Sequence, residues 1–312
     1  QNGDYTLAEG LGNEVINPMA QIENTDDKIR VDKISATLGF KYEFAPNFFA
    51  ESRFQYNHSK VKTDVFKPVV NYGSGKVFNI STNELVDNDD KYEDYTWDNF
   101  LKYEKTFNDI HQVKVLLGGS MFKTSGTFES YTGTGFSDES IKNGVSIGDA
   151  ANVVDQNAQS KLRGANTFDV RLLSYFGRVQ YDYKGKYLFS AMIRRDGSTR
   201  FGPNNRFGYF PSASLGWVIS DESFLEEVNF IDFMKIRASH GIMGNDQIGD
   251  YRFLSTLGGQ AKYAFNELIV EGLAEGALAN PSIKWEQQEA TNIGLDITLL
   301  SNHLDVSIDA FS

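Results

Sequence analysis

The chain has 312 residues, no cysteine and a formal net charge of −12. With no run of Lys or Arg to concentrate positive charge, that balance excludes nucleic acid as a partner. The missing thiols exclude disulfides and thiolate metal centres. Aromatic residues make up 13% of the chain and glycines number 28, a mixture that favours aromatic strands and turns over helices. No run of 18 apolar residues occurs, so no transmembrane helix is expected. A transmembrane β-barrel stays open, because its alternating strands leave no hydropathy peak.

Residues 1–30 carry Gly, Asn and Asp without periodicity and read as loop. From Lys33 a period of two sets in, with Ile34, Ala36, Leu38, Phe40, Tyr42 and Phe44 on one face and Lys33, Ser35, Thr37, Lys41 and Glu43 on the other. Ala45-Pro46-Asn47 turns the chain into a return strand, in which Phe48, Ala50, Phe54 and Tyr56 oppose Glu51, Arg53, Gln55 and Asn57. A polar stretch, 59–93, reads as a long loop. Alternation resumes over Tyr95–Phe107, turns at 108–110, and returns through Val113–Met121. Residues 125–167 read as a second long loop.

Leu173–Tyr183 and Tyr187–Ile193 then form a strand pair about Lys184-Gly185-Lys186, followed by a strand carrying Tyr209, Pro211, Ala213, Leu215 and Trp217. Residues 221–232 leave room for one helical turn capped by Ser220 or Asp221. A strand through Met234, Ile236 and Ala238 precedes a third long loop, 244–284. The last pair, Ile293–Leu299 and Leu304–Ala310, turns at Ser301-Asn302.

Short turns and long connections alternate along the chain, and the strands run to about 10–14 residues. This is the habit of outer-membrane up-and-down barrels, with short turns at one rim and long loops at the other. Aromatic clusters at strand ends, Tyr42, Phe44, Phe48 and Phe49 at one turn and Tyr181, Tyr183, Tyr187 and Phe189 at another, match interfacial girdles. The expected fold is therefore all-β, an antiparallel barrel of which this chain supplies about ten strands as a single domain, 1–312. A soluble or surface-attached glycan-binding or adhesion module with a one-sided core would alternate in the same way.

Several groups stand out as candidate sites. Asp87, Asp89 and Asp90 head an acidic cluster that supplies oxygen ligands for Ca²⁺ but lacks EF-hand spacing and reads first as a solvated loop; no other cofactor is expected. Tyr72, Tyr131 and Phe136, with Tyr92 and Tyr263, are loop aromatics suited to stacking on sugars or peptide side chains, or to folding the loops themselves. Around the loop at 196–206, Arg194, Asp196, Gly197, Arg200, Gly202, Pro203, Arg206, Pro211 and Trp217 form a structural signature. In it Arg200 and Arg206 are expected to pair with Asp196 or with a carboxylate of a barrel plug, and Pro211 to sit at a bulge or just inside the strand end. The four histidines are scattered singly and Gly73-Ser74-Gly75-Lys76 lacks the rest of a phosphate loop, so no catalytic residue is assigned.

Three strings, Leu172–Leu225, Ile236–Tyr251 and Asn280–Leu300, resemble the SusC/RagA family of TonB-dependent outer-membrane transporters. The resemblance implies a 22-stranded plugged barrel in the outer membrane of a Gram-negative bacterium of the Bacteroidota type. It further implies import of glycans or peptides, energy supplied through TonB, a SusD-like surface lipoprotein as lid, and lipid around the wall. It leaves the plug and the remaining strands outside these residues.

Overall fold

The computed structural model describes residues 11–158, 166–255, 257–266 and 268–312. Helix α1 (Pro18–Glu23), capped by Asn17, leads into β1 (Asp26–Ala45), β2 (Phe48–Lys67), β3 (Glu84–Phe107) and β4 (His111–Thr134). After α2 (Asp138–Asn143) and β5 (Asn152–Asp155) come β6 (Thr167–Tyr183), β7 (Tyr187–Ser198), β8 (Phe207–Val218) and β9 (Ile231–Asn245). They are followed by β10 (Leu257–Phe265), β11 (Leu268–Glu275), β12 (Glu286–Leu299) and β13 (Leu304–Phe311). One sheet runs in the order β1-β2-β3-β4-β6-β7-β8-β9-β12-β13, with β5 added beside β4 and β10–β11 forming a separate pair. Neighbours follow the chain, which is the up-and-down order expected.

The short turns are built from residues that tolerate left-handed backbone. Asn108 and Asp109 sit at φ 50° and 58°, and Lys184 and Gly185 at 57° and 69°. Two left-handed central residues give the hairpin turn whose twist suits the flanking strands.

The chain departs from expectation where the apolar alternation stops. β1–β4 run to 20, 20, 24 and 24 residues, well beyond the 10–14 read from the pattern. Residues 59–67 and 84–93, read as loop, are strand, and β4 continues through 125–134. In these extensions the few apolar residues, Phe66 and Leu85 among them, fall on both faces between Lys, Asp, Thr and Ser, so no period of two marks them. Cross-strand ion pairs hold them instead: Lys60 to Asp89 at 2.8 Å and Lys62 to Asp87 at 3.4 Å. The segment 244–284 contains the β10–β11 hairpin. Residues 219–225 form two short 3₁₀ turns, Ile219–Asp221 and Ser223–Leu225, without a side-chain cap from Ser220 or Asp221. Of the segment 1–30 read as loop, residues 11–30 carry α1 and the start of β1, and residues 1–10 lie outside the described residues.

The chain packs as two compact units, Gln1–Ala36 with Tyr56–Asp94 and Thr124–Asp169, and Thr37–Gln55 with Tyr95–Lys123 and Val170–Ser312. The core of the first is Phe66, Leu85 and Phe136, with Val145, Ile147 and Ala150 packed against it. Asn83 closes it: its Nδ2 donates to the Phe136 carbonyl at 2.9 Å and its Oδ1 accepts from the Phe136 N–H at 2.7 Å. The core of the second unit is Phe201, Phe210 and Trp285. Its strands otherwise leave their apolar side uncovered, with Leu38 at 76% and Leu215 at 60% exposure.

Candidate functional site

Strand register sorts the second unit's side chains into two faces. One row reads Tyr181, Phe189, Leu215, Ala238, Ile293 and Ala310, each directly opposite the next. The row beside it, on the opposite face, reads Gln180, Ser190, Ser214, Ser239 and Asn292. A one-residue slip would exchange the two faces, so this register is what makes the wall two-sided. On the polar face, Gln180, Ser190, Ser214, Lys235, Arg237 and Asn292 line a depression of about 440 Å³.

The charges on that face are organised as ion pairs. Arg237 reaches Asp296 at 3.0 Å and Asp309 at 2.8 Å, and the Ser307 hydroxyl donates to Asp296 at 2.7 Å. Gly294 makes room, since a Cβ there would lie 2.5 Å from the Arg237 guanidinium carbon. A second set joins Glu51 to Lys102 at 2.5 Å and to Arg53 at 2.9 Å. Such a face suits water, a polar plug or a polar solute. None of Arg237, Asp309 or Gly294 was singled out from sequence. A lone glycine inside an alternating strand was the available signal, because it marks a close approach.

The signature stretch divides by face and by loop. Arg194, and not Arg200 or Arg206, pairs with Asp196, through Nε at 2.7 Å, while its Nη2 donates to Ser174 at 2.9 Å. Arg200 instead reaches Asp250 at 3.0 Å and the Asp246 carbonyl at 3.2 Å. The Asp246 carboxylate also accepts from the Ser198 hydroxyl at 2.8 Å. Gly197 lies beneath the Phe207 ring, where a Cβ would meet carbon at 2.4 Å, and Gly202 touches Phe253. Pro203 lies in the turn, and the Arg206 carbonyl accepts from the Trp285 indole at 3.0 Å and from the Ser198 N–H at 3.1 Å.

Pro211 stands opposite Ile193 with no bulge, one residue beyond the end of the β8–β9 ladder at Ser212, so its missing N–H leaves no gap there. Phe201 and Phe210 pack on Trp285 with ring centroids 5.2 and 5.3 Å away. The three strings that carry the family resemblance thus converge on one cluster. Trp217 marks the other end of the wall, where its indole and the Tyr187 hydroxyl both donate to Glu222, at 3.1 and 2.7 Å.

The loop candidates fare differently. Phe136 and Tyr72 are buried, at 6% and 4% exposure, so their rings serve the first unit's packing and are not presented to a ligand. Tyr131 is half-buried on β4 opposite Asp155, and Tyr263 is exposed on β10. Asp87 and Asp89 are strand residues engaged by Lys62 and Lys60, and strand alternation turns Asp90 to the opposite face. Among the described residues no group of three or more His, Asp or Glu gathers as a metal site. Lys76 is buried and donates to the carbonyls of Leu11 and Gly12 at 3.2 and 3.1 Å, a structural role.

Comparison with known proteins places this architecture. The family model described as TonB dependent receptor-like, beta-barrel, matches residues 1–312. A TonB-dependent receptor of Formosa agariphila is 34% identical over 300 residues, covering 95% of this chain and 27% of that protein. The TonB-dependent receptor SusC of Bacteroides thetaiotaomicron is 29% identical, over 95% of this chain and 28% of SusC. The chain therefore spans under a third of the length of these relatives. Among solved structures, the RagAB peptide importer in its open-open state superimposes with a TM-score of 0.80 at 19% identity, covering 99% of this chain and 33% of that one. The two-faced meander is part of a larger barrel wall, and the chain belongs to the TonB-dependent receptor β-barrel family.

Proposed function

We propose that this chain is barrel wall of a SusC-like nutrient importer in the outer membrane of a Gram-negative bacterium of the Bacteroidota type. The observation that carries this reading is the register, which stacks an uncovered apolar row beside a row of Gln, Ser and Asn across β6–β12. An apolar face turned to lipid and a polar face turned to a wet, plugged lumen is what a large barrel requires. A soluble glycan-binding sandwich would cover residues such as Leu215, which is 60% exposed.

In this reading residues 1–312 are a single wall domain, with the plug, the remaining strands and the TonB-contacting segment belonging to the rest of the receptor. A SusD-like lipoprotein closes the long-loop side, and glycans or peptides are the cargo. The wall breaks no bonds. The test uses the full-length receptor. Its deletion in the host is expected to abolish growth on one class of glycan or peptide, and purification in detergent to recover a surface lipoprotein. Growth unchanged on every such nutrient, extraction without detergent, or hydrolysis of a nutrient by the pure protein would each overturn the reading.

A further inference from the structure

Two adjacent arginines in β7 have opposite surroundings. Arg194 lies on the polar face and is neutralised by Asp196. Arg195 lies on the apolar face, directly between Tyr175 of β6 and Tyr209 of β8. Its guanidinium rests on the Phe207 ring at 3.8 Å and near the Tyr209 ring at 5.8 Å. Gly197 permits this, because only a residue without Cβ lets Phe207 lean over it. The Arg195 Nε is shielded from water without a hydrogen-bond partner, and among the described residues no carboxylate pairs with this side chain.

The position of this arginine along the wall follows from the register. At the short-turn end the apolar face carries Tyr183 opposite Tyr187 and Tyr187 opposite Trp217, one aromatic girdle. Eight residues up β7 stands Tyr175–Arg195–Tyr209, with both tyrosines at least half exposed. Eight residues span about 26 Å along a strand. With the usual tilt that is about 20 Å along the membrane normal, close to the height of a barrel's apolar band. The second row is therefore the girdle on the long-loop side, at the depth of lipid headgroups. A cation on this face is costly in the hydrocarbon and nearly free at the interface, and a planar guanidinium matches the paired oxygens of a phosphate.

We infer that Arg195, clamped by Phe207 and flanked by Tyr175 and Tyr209, binds the phosphate of an anionic lipid in the leaflet on the long-loop side. The ligand is a phosphate whose charge its own headgroup leaves uncompensated, held at the rim of the wall. The inference rests on the barrel-wall reading, and bilayer insertion separates the two. Full-length receptor that fails to insert into nanodiscs defeats that reading, while insertion without lipid selection defeats only this one.

The experiment reconstitutes the full-length receptor in nanodiscs of phosphatidylcholine with rising phosphatidylglycerol and counts retained lipids by native mass spectrometry. The wild type is expected to enrich phosphatidylglycerol about tenfold over its bulk fraction. Arg195→Gln should abolish the enrichment, Arg195→Lys should keep part of it, and Phe207→Leu should weaken it while leaving insertion intact. No enrichment by the wild type, or enrichment unchanged in Arg195→Gln, overturns the proposal. So does displacement of the lipid by inorganic phosphate at millimolar concentration, which would mark a site for the free ion.

Discussion

At the scale of single residues, close approach and charge placement carry the constraints. Gly244 lies under Phe210, and a Cβ there would fall 2.1 Å from the ring. Phe210 is buried against Trp285 and has nowhere to retreat. Gly244→Ala is expected to destabilise the wall by about 1–3 kcal/mol, the cost of overpacking, read as a lowered unfolding temperature in detergent. Glu222, in the connection between β8 and β9, accepts from the Tyr187 hydroxyl and the Trp217 indole and faces Lys186 at 3.7 Å. The Tyr187 hydrogen bond first, then the indole and Lys186, hold its carboxyl below the ordinary 4.5, against a smaller opposing effect of burial. A carboxyl lowered in the folded state stabilises it fully above the ordinary value and loses that contribution as pH falls through the lowered one. The Trp217 emission should therefore change on acidification below about pH 4.5, and Glu222→Gln should remove that change.

At the scale of elements, the sequence and the structure agree where lipid-facing alternation exists and part where it ends. Val113–Met121 and Tyr187–Ile193 were legible because one face must be apolar and the other polar, which writes a period of two into the residues. The outer parts of β2 and β3 carry no such mark, since their few apolar residues fall on both faces and Lys60, Lys62, Asp87 and Asp89 look the same in a strand as in a loop. Their strand character lies in pairing between segments about 25 residues apart, which periodicity cannot register. Reversing Lys60 and Lys62 to Glu is expected to fray this ladder, costing about 0.2–1 kcal/mol per pair, seen as faster amide exchange across 59–67 and 84–93. The contacts of Arg200 and Arg206 were not legible, because Asp246, Asp250 and Trp285 come from distant strings. Trp285→Ala removes the centre of that convergence and should cost about 3–5 kcal/mol, with protease sensitivity appearing at 198–206.

At the scale of the whole molecule, the sheet ends on β1 and β13, each with a partner on one side only among the described residues. Open strand edges are templates for pairing, and the uncovered apolar face adds to them. Residues 1–312 expressed alone are expected to require detergent and to self-associate in it, while a full-length receptor of the proposed kind, in which further strands would pair with both edges, stays dispersed. Light scattering of the two in the same detergent distinguishes these outcomes.

The β10–β11 hairpin has its own consequence. Among the described residues its strands pair only with each other, from Leu257 opposite Glu275 to Phe265 opposite Leu268, and Tyr263, Phe265, Leu268 and Ile269 are all exposed. A segment that satisfies its own backbone can lengthen or shorten without compensating change in the wall. What the protein presents at its long-loop side can therefore be changed in this hairpin while the strands beneath it keep their register.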